Sequence, residues 1–281
     1  MFDCFPMNNE LDLVEVRLNT LSPVVEKFVI VESSYTHTGK PKPLYFNENR
    51  EKFKKFNDQI IYLEYFRDIH GDAWRQENEQ RNTILQALDI AKPKDSLLFV
   101  SDADEIPKPD SLLEAQALAL DLKTPVTFVM DDCLYYMNYV ADSPMRGPYI
   151  YNPDKAEEIH KHWFLNGKPS PHCPTAFRWH SGSPYHHNDF PSVYNSGWHF
   201  SSLGGIEILK RKIESCAHTQ FDLPEIKSDE HLLKCMNEGV AYYDKVVKFN
   251  DIPTRKYSKI DISFLPQYVQ DNVDKFRKYI L

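Results

Sequence analysis

The sequence predicts an α/β protein, a mostly parallel sheet flanked by helices and followed by a more irregular second half. Three observations carry this expectation. Short apolar runs at Phe2–Phe5, Phe28–Val31, Ile60–Leu63 and Leu97–Val100 have the length and composition of strands buried on both faces. The stretch between the first two shows helical periodicity, so they join as a β-α-β unit with a right-handed crossover. From about residue 142 the texture changes to Pro, Trp, Tyr and His, and seven of the eleven histidines fall between 160 and 199.

The elements follow in order. Phe2–Phe5 is the first strand, stopped by Pro6. Asn8 or Asn9 caps a helix whose apolar face is Leu11, Val14, Leu18 and Leu21, and Pro23 ends it. Phe28–Val31 is the second strand, with Glu32 at its carboxyl end. In the Pro-interrupted loop 34–46, Lys40 and Lys42 either reach an anionic ligand at the strand ends or are simply solvated. Ile60–Leu63 is the third strand. Residues 74–91 read as one helix with Ile84, Leu85 and Leu88 inward, and its polar half gathers Trp74, Arg75, Glu77, Arg81 and Asn82. Arg75 and Arg81 do not share one tight face, so a solvated surface of Glu–Arg pairs competes with ligand binding.

Beyond the fourth strand, Ser111 to Glu114 matches a capping box opening the next helix. Val126–Met130 is a strand, and Cys133–Val140 alternates as an antiparallel strand does. Ile206, Leu209 and Ile213 make one helix face. Ser228 caps a further helix that Gly239 closes, and Pro266 opens a final amphipathic helix with Val269, Val273, Phe276 and Ile280 inward. No repeat or linker divides the chain, so residues 1–281 are expected to form a single domain with halves 1–140 and 141–281.

The chemistry concentrates in LLFVSDADEIP, residues 97–107. Ligands of open α/β sheets sit beyond the carboxyl ends of the strands, which is where Asp102, Asp104 and Glu105 fall. Such a charge density at the mouth of an apolar sheet calls for a cation. Mg²⁺ is usually held by one or two carboxylates plus substrate phosphates, so an Asp-x-Asp here suits a metal–diphosphate. The competing reading is a strand-to-loop turn whose aspartates cap backbone amides.

Composition narrows the classes. A net charge of −8 and a pI near 5.8 exclude a dedicated nucleic-acid binder. With only nine glycines there is no Gly-rich phosphate loop, so phosphate binding would call for a metal. The five cysteines are widely spaced without a Cys-x-x-Cys, which favours reduced thiols over a thiolate zinc site. The opening MFDCFPMNNE lacks the marks of a signal peptide, and no apolar stretch approaches the ~20 residues of a membrane span. A cytoplasmic location is expected.

His160, His162, His186 and His187 could bind metal but have no cysteine partner at zinc-finger spacing. His199 sits between Trp198 and Phe200, which makes it either a third metal ligand or a satisfied core histidine. Asp229 and Glu230 occupy the first turn of their helix, where the helix dipole favours carboxylates whatever their function.

The phrases FDCFPMNNELDLVEVRLNTL, VEKFVIVESSYTHTGKPKPLYF, WRQENEQRN, LLFVSDADEIP and GWHFSS, in this order, resemble glycosyltransferase family 17. That family includes the enzyme adding the bisecting N-acetylglucosamine to N-glycans. The resemblance covers roughly residues 1–245. It implies a glycosyltransferase A-type fold, a Rossmann-like donor half joined to an acceptor-binding half. It also implies a UDP-sugar donor, Mn²⁺ or Mg²⁺, a glycan acceptor and inversion at the anomeric carbon. Asp102, Ala103 and Asp104 match the family's metal–diphosphate turn and His199 the histidine of its GWH motif. Glu32, Arg81 and Asn82 would then flank the donor nucleotide, and the residues themselves add Lys40 and Arg75 as candidate donor contacts.

An inverting transfer needs a carboxylate base. Asp229 and Glu230 are the first candidates, with Asp131 and Asp132 behind them, and Trp163, Trp179, Tyr185 and Trp198 would form a sugar platform. Donors such as UDP-N-acetylglucosamine, UDP-xylose and UDP-glucose remain open. A metal-dependent nucleotide-sugar phosphohydrolase and a non-catalytic carbohydrate-binding module are the rival readings.

Overall fold

A computed structural model of the chain describes residues 1–66, 72–91, 96–155, 174, 190–244 and 254–281. Strands β1 (Phe2–Met7), β2 (Lys27–Ser33), β3 (Ile60–Tyr65) and β4 (Leu98–Val100) run parallel in the order β3-β2-β1-β4. Helix α1 (Leu11–Leu21) makes the first crossover, and the short α2 (Tyr45–Glu48) follows β2. The chain steps outward from β1 to β3 and then returns to β1's other edge as β4. Strand order therefore reverses at β1, and a crevice opens at the carboxyl ends of β1, β2 and β4.

Both faces of this sheet are buried, which is why its strands read as unbroken apolar runs. Phe5, Phe28, Ile30 and Phe99 pack on one face with Val14 and Leu18 of α1. Cys4, Val29, Val31, Leu98 and Val100 pack on the other with Ile84 and Ala87. The two-residue alternation of a strand sorts neighbours onto opposite faces.

The remaining sheet is mixed and mostly antiparallel. β6 (Val126–Leu134) pairs with β8 (Met145–Tyr151), which pairs with β4; β7 (Tyr139–Ala141) and β11 (Tyr257–Lys259) extend the far edge. β10 (Gly197–Ser201) lies between β5 (Glu105–Pro107) and β6, with His199 opposite both Glu105 and Asp132. The short β9 (Ser192–Val193) also pairs with β6, and both β9 and β10 run parallel to it. The fold is the mixed α/β architecture expected from the sequence, a Rossmann-like parallel half continued into a mostly antiparallel one.

Several element boundaries differ from expectation, each for a local reason. Pro6 does not stop β1, which runs on to Met7. Phe2 donates to Leu97 and Cys4 accepts from Ser101 on the β4 side. Pro6 faces that same edge beyond the end of β4, so its missing N–H leaves no ladder bond broken. Helix 74–91 is divided into α3 (Ala73–Asn82), a 3₁₀ turn at Thr83–Leu85 and α4 (Gln86–Ala91). Thr83 Oγ1 donates back to the Glu79 carbonyl at 3.0 Å, a bond that competes with the regular helix ladder.

The Ser111 capping box is not used. Helix α5 (Pro109–Leu122) starts earlier with a proline in its first turn, where the preset φ favours helix entry. The expected strand Cys133–Val140 is broken by a turn with Tyr135 at φ 68°, leaving Cys133 in β6 and Val140 in β7. Helices α6 (Ile206–Ser215) and α7 (Asp229–Glu238) form as expected, with Ser228 Oγ accepting from His231 N and Gly239 closing α7 at φ 65°. The final helix is interrupted at Asn272 into α8 (Gln267–Asp271) and α9 (Val273–Phe276). Val269 and Phe276 still reach a core shared with Leu13 and Val16 of α1.

Candidate active site

The acidic loop is held from beneath by a buried arginine. Arg17 Nε donates to Asp3 Oδ2 at 2.7 Å and its Nη2 to Asp3 Oδ1 and Ser101 Oγ, both at 2.5 Å. Its Nη1 donates to the carbonyls of Asp102 and Glu105, each at 2.9 Å. Both side chains of the Asp3–Arg17 pair are fully buried. Glu105, also buried, closes the loop by accepting from Asp102 N at 2.7 Å. The loop backbone is thus fixed at two carbonyls and one amide, so its aspartates emerge in set directions.

Asp102 Oδ1 accepts from Arg81 Nη2 at 2.7 Å, and that guanidinium also meets Glu77 at 3.1 Å. Asp104 divides its oxygens. Oδ2 meets Lys212 Nζ at 2.9 Å, and Oδ1 faces His199 Nε2 at 3.8 Å. His199 Nδ1 is engaged by Asp132 Oδ1 at 2.9 Å. Asp132 in turn accepts from Arg255 Nη1 at 2.8 Å and Tyr257 OH at 2.7 Å. Burial works against ionising Asp132, but the hydrogen bond from His199 and the Arg255 charge outweigh it and hold the carboxyl at about 2. Burial likewise disfavours a charged His199, yet its bond to Asp132 and the Asp104 field raise it above the usual histidine range.

Of these groups Glu77, Arg81, Asp102, Asp104 and Lys212 border a cleft of about 530 Å³ at the carboxyl ends of β1 and β4, and His199 adjoins it through Asp104. Met7, Tyr35 and Trp74 supply apolar walls, and His218 meets Trp74 edge-on at 4.6 Å between centroids. Four acids of the lining, Glu10, Glu77, Asp102 and Asp104, face three bases, Lys42, Arg81 and Lys212.

Among the described residues, no group of three His, Cys, Asp or Glu side chains is assembled to hold a metal ion. What the loop does present is one pair of facing donors, Asp104 Oδ1 and His199 Nε2. A carboxylate on the imidazole's other nitrogen fixes the ring as second-shell carboxylates do for metal-binding histidines. A carboxylate and an imidazole are of a kind that a divalent ion accepts as ligands.

The structure brings Arg81, Asp102, Ala103 and Asp104 into the cleft lining and sets His199 against Asp104. The other expected site residues lie elsewhere. Glu32 is buried and accepts from Phe46 N at 2.9 Å and Tyr62 OH at 3.1 Å, pinning the loop after β2. Lys40 is exposed and meets Glu214 at 3.3 Å; Arg75 pairs with Glu79 on a half-exposed helix face. Asn82 ends α3 outside the lining. Asp229 and Glu230 stand exposed at the start of α7, with Asp229 Oδ1 meeting Lys210 Nζ at 2.5 Å. Asp131 points away from its neighbour Asp132 into a separate shallow groove. Trp198 is a packing residue, stacked on Phe200 with its Nε1 donating to Phe264 O. Trp163, Trp179, Tyr185 and His160, His162, His186 and His187 lie outside the described residues.

Sequence reasoning passed over Arg17, Lys212, Arg255 and Tyr257. Arg17 left a signal, a charge inside the inward stripe of α1 facing an aspartate inside the apolar run FDCF. Lys212 left none, since it stands in the consecutive basic run Lys210-Arg211-Lys212 of α6.

Fold and cleft together define an open-sheet α/β protein with its cleft at the strand switch point. The sequence model of glycosyltransferase family 17 matches residues 1–163, and the chain belongs to that family. Beta-1,4-mannosyl-glycoprotein 4-beta-N-acetylglucosaminyltransferase of Rattus norvegicus is 26% identical over 98% of this chain and 53% of its own length. The Homo sapiens protein of that name is 34% identical over 38% of this chain and 22% of its own length. The chain spans about half the length of the rat relative. Among solved structures, S. aureus TarS 1–349 aligns over 99% of this chain and 80% of that one, at 12% identity and a TM-score of 0.38. The 4-diphosphocytidyl-2C-methyl-D-erythritol synthase of Anaerococcus prevotii aligns over 78% of this chain and 98% of that one, at 12% identity and a TM-score of 0.43. Among the described residues, no helix is long and apolar enough to cross a membrane.

Proposed function

We propose that this chain is an inverting glycosyltransferase that moves a sugar from a UDP-sugar to a glycan hydroxyl. N-acetylglucosamine is the first donor sugar to test, because the relatives' names specify it. The observation that carries the reading is the facing pair Asp104 and His199, backed by Asp132, at the mouth of the switch-point cleft. Asp104 and His199 would hold a divalent cation, Mn²⁺ or Mg²⁺, with Asp102 beside them. When bound, that ion supplies charge neutralisation for the departing diphosphate.

The chain's own residues do the rest. The apolar walls at Met7, Tyr35 and Trp74 exclude water from the donor. Arg81 and the buried Arg17 keep Asp102 and its loop in register. Asp132 holds the His199 ring through Nδ1, leaving Nε2 towards Asp104. Asp132 is a poor proton acceptor, since it already takes three hydrogen bonds and stays ionised down to about pH 2. Asp229 and Glu230 stand outside the cleft lining, and Asp229 is paired with Lys210, so neither is given the role of general base.

Calorimetric titration of UDP and a panel of UDP-sugars, with Mn²⁺ and with EDTA, tests the donor site. Binding that needs metal and disappears in Asp104→Asn is the expected result. UDP failing to bind under every condition would sink the reading in favour of a carbohydrate-binding module. With a donor in hand, the anomeric configuration of the product decides between inversion and retention.

A further inference from the structure

Asp104 is shared between two partners. Its Oδ1 faces His199, while its Oδ2 holds the Lys212 ammonium at 2.9 Å. That ammonium also donates to Ser201 Oγ at 3.2 Å. Lys212 lines the cleft with its side chain 34% exposed, so it occupies the open side of the carboxylate. A lysine ammonium is a compact point charge on a flexible four-carbon stem; it can leave one oxygen for another without moving α6. An ammonium and a divalent cation at Asp104 compete, because each neutralises the same carboxylate. The lining also carries more acids than bases, so a diphosphate entering the cleft needs cations released towards it.

We propose that Lys212 is an exchangeable counter-charge. In the free protein it neutralises Asp104. When a divalent cation takes Asp104, the ammonium transfers to the diphosphate of the bound donor and stays with it as the sugar departs. This rests on the donor reading of the cleft. It assigns to Lys212 two effects of opposite sign, weaker metal binding and stronger nucleotide binding.

The test is titration of Mn²⁺ alone, then of UDP in saturating Mn²⁺, on the full chain and on Lys212→Met and Lys212→Gln. Thermal unfolding of the same samples confirms that each variant is folded. Removing the competitor should tighten Mn²⁺ binding at least roughly threefold. Losing one charge-assisted contact to phosphate should weaken UDP binding about tenfold or more. Lys212→Arg keeps the charge and should leave both affinities near wild type. Lys40→Met, an exposed lysine outside the lining, should also change neither.

Unchanged or weakened Mn²⁺ binding in both neutral variants overturns the competition. Tightened Mn²⁺ binding with unaltered UDP binding overturns the transfer to phosphate. An equal effect from Lys40→Met reduces Lys212 to bulk charge and also overturns the proposal. A wild-type chain that binds neither Mn²⁺ nor UDP brings down the donor reading and this proposal together, a result distinct from the other three.

Discussion

Arg17 spends all three of its guanidinium nitrogens on Asp3, Ser101 and two loop carbonyls. Removing it alone leaves Asp3 as a buried, uncompensated charge, and Arg17→Met should cost about 3–5 kcal/mol of stability. The double variant Asp3→Leu/Arg17→Met buries no charge and should recover most of that loss. It should nevertheless bind Mn²⁺ less tightly, because the carbonyls of Asp102 and Glu105 have lost their anchor. Chemical denaturation and metal titration on the three proteins separate the two effects, and full recovery of both would deny Arg17 its hold on the loop. Asp132→Asn should cost roughly 1–3 kcal/mol by unbalancing a buried network. It should weaken metal binding too, since the His199 ring loses its carboxylate.

At the scale of elements, β10 depends on Gly197. A Cβ at this position would collide with the Ile106 carbonyl oxygen on β5, so Gly197→Ala should part β10 from β5. The expected outcome is a lower unfolding temperature and a disturbed Asp104–His199 pair, read as lost Mn²⁺ binding. Unchanged stability in that variant would mean that the strands relax without cost. The parallel strands were legible in the sequence because a sheet buried on both faces writes itself as unbroken apolar runs. Helix ends were less legible. The Thr83 back-bond and the Asn272 break are single side-chain choices inside otherwise helical patterns. The pairing of β10 with β6, which gives Asp132 to His199, has no local signal at all. Strand alternation alone does show that Asp131 and Asp132 face opposite ways, and so cannot serve one site as a pair.

Across the whole molecule, α1 is tied to the C-terminal segment. Tyr279 OH donates to Asp12 Oδ2 at 2.6 Å, and Lys278 Nζ meets the same oxygen at 2.9 Å. Burial would raise the Asp12 carboxyl, but the Tyr279 and Lys278 contacts outweigh it and the net direction is downward. A carboxyl lowered on folding stabilises the fold at any pH above its unfolded value of about 3.9, and that contribution is lost as pH falls through the lowered folded value. Asp12→Asn should therefore reduce stability at neutral pH and flatten the acid limb of the stability curve. Equal acid slopes in the two proteins would remove Asp12 from the account. The four parallel strands, the acidic loop and the family membership were all within reach of the sequence. The support behind the site was not, because Arg255 and Tyr257 reach Asp132 from more than a hundred residues away.

That placement orders the events of synthesis. The parallel strands and the acidic loop are complete by Pro107, while His199 comes far later and the groups holding Asp132 later still. Contacts so distant along the chain close slowly compared with local ones. A nascent chain can fold its first half and display the aspartates long before it owns the imidazole that faces them. The proposed capture of a divalent ion should then arrive as the last step of folding, appearing in a refolding experiment with the slowest phase.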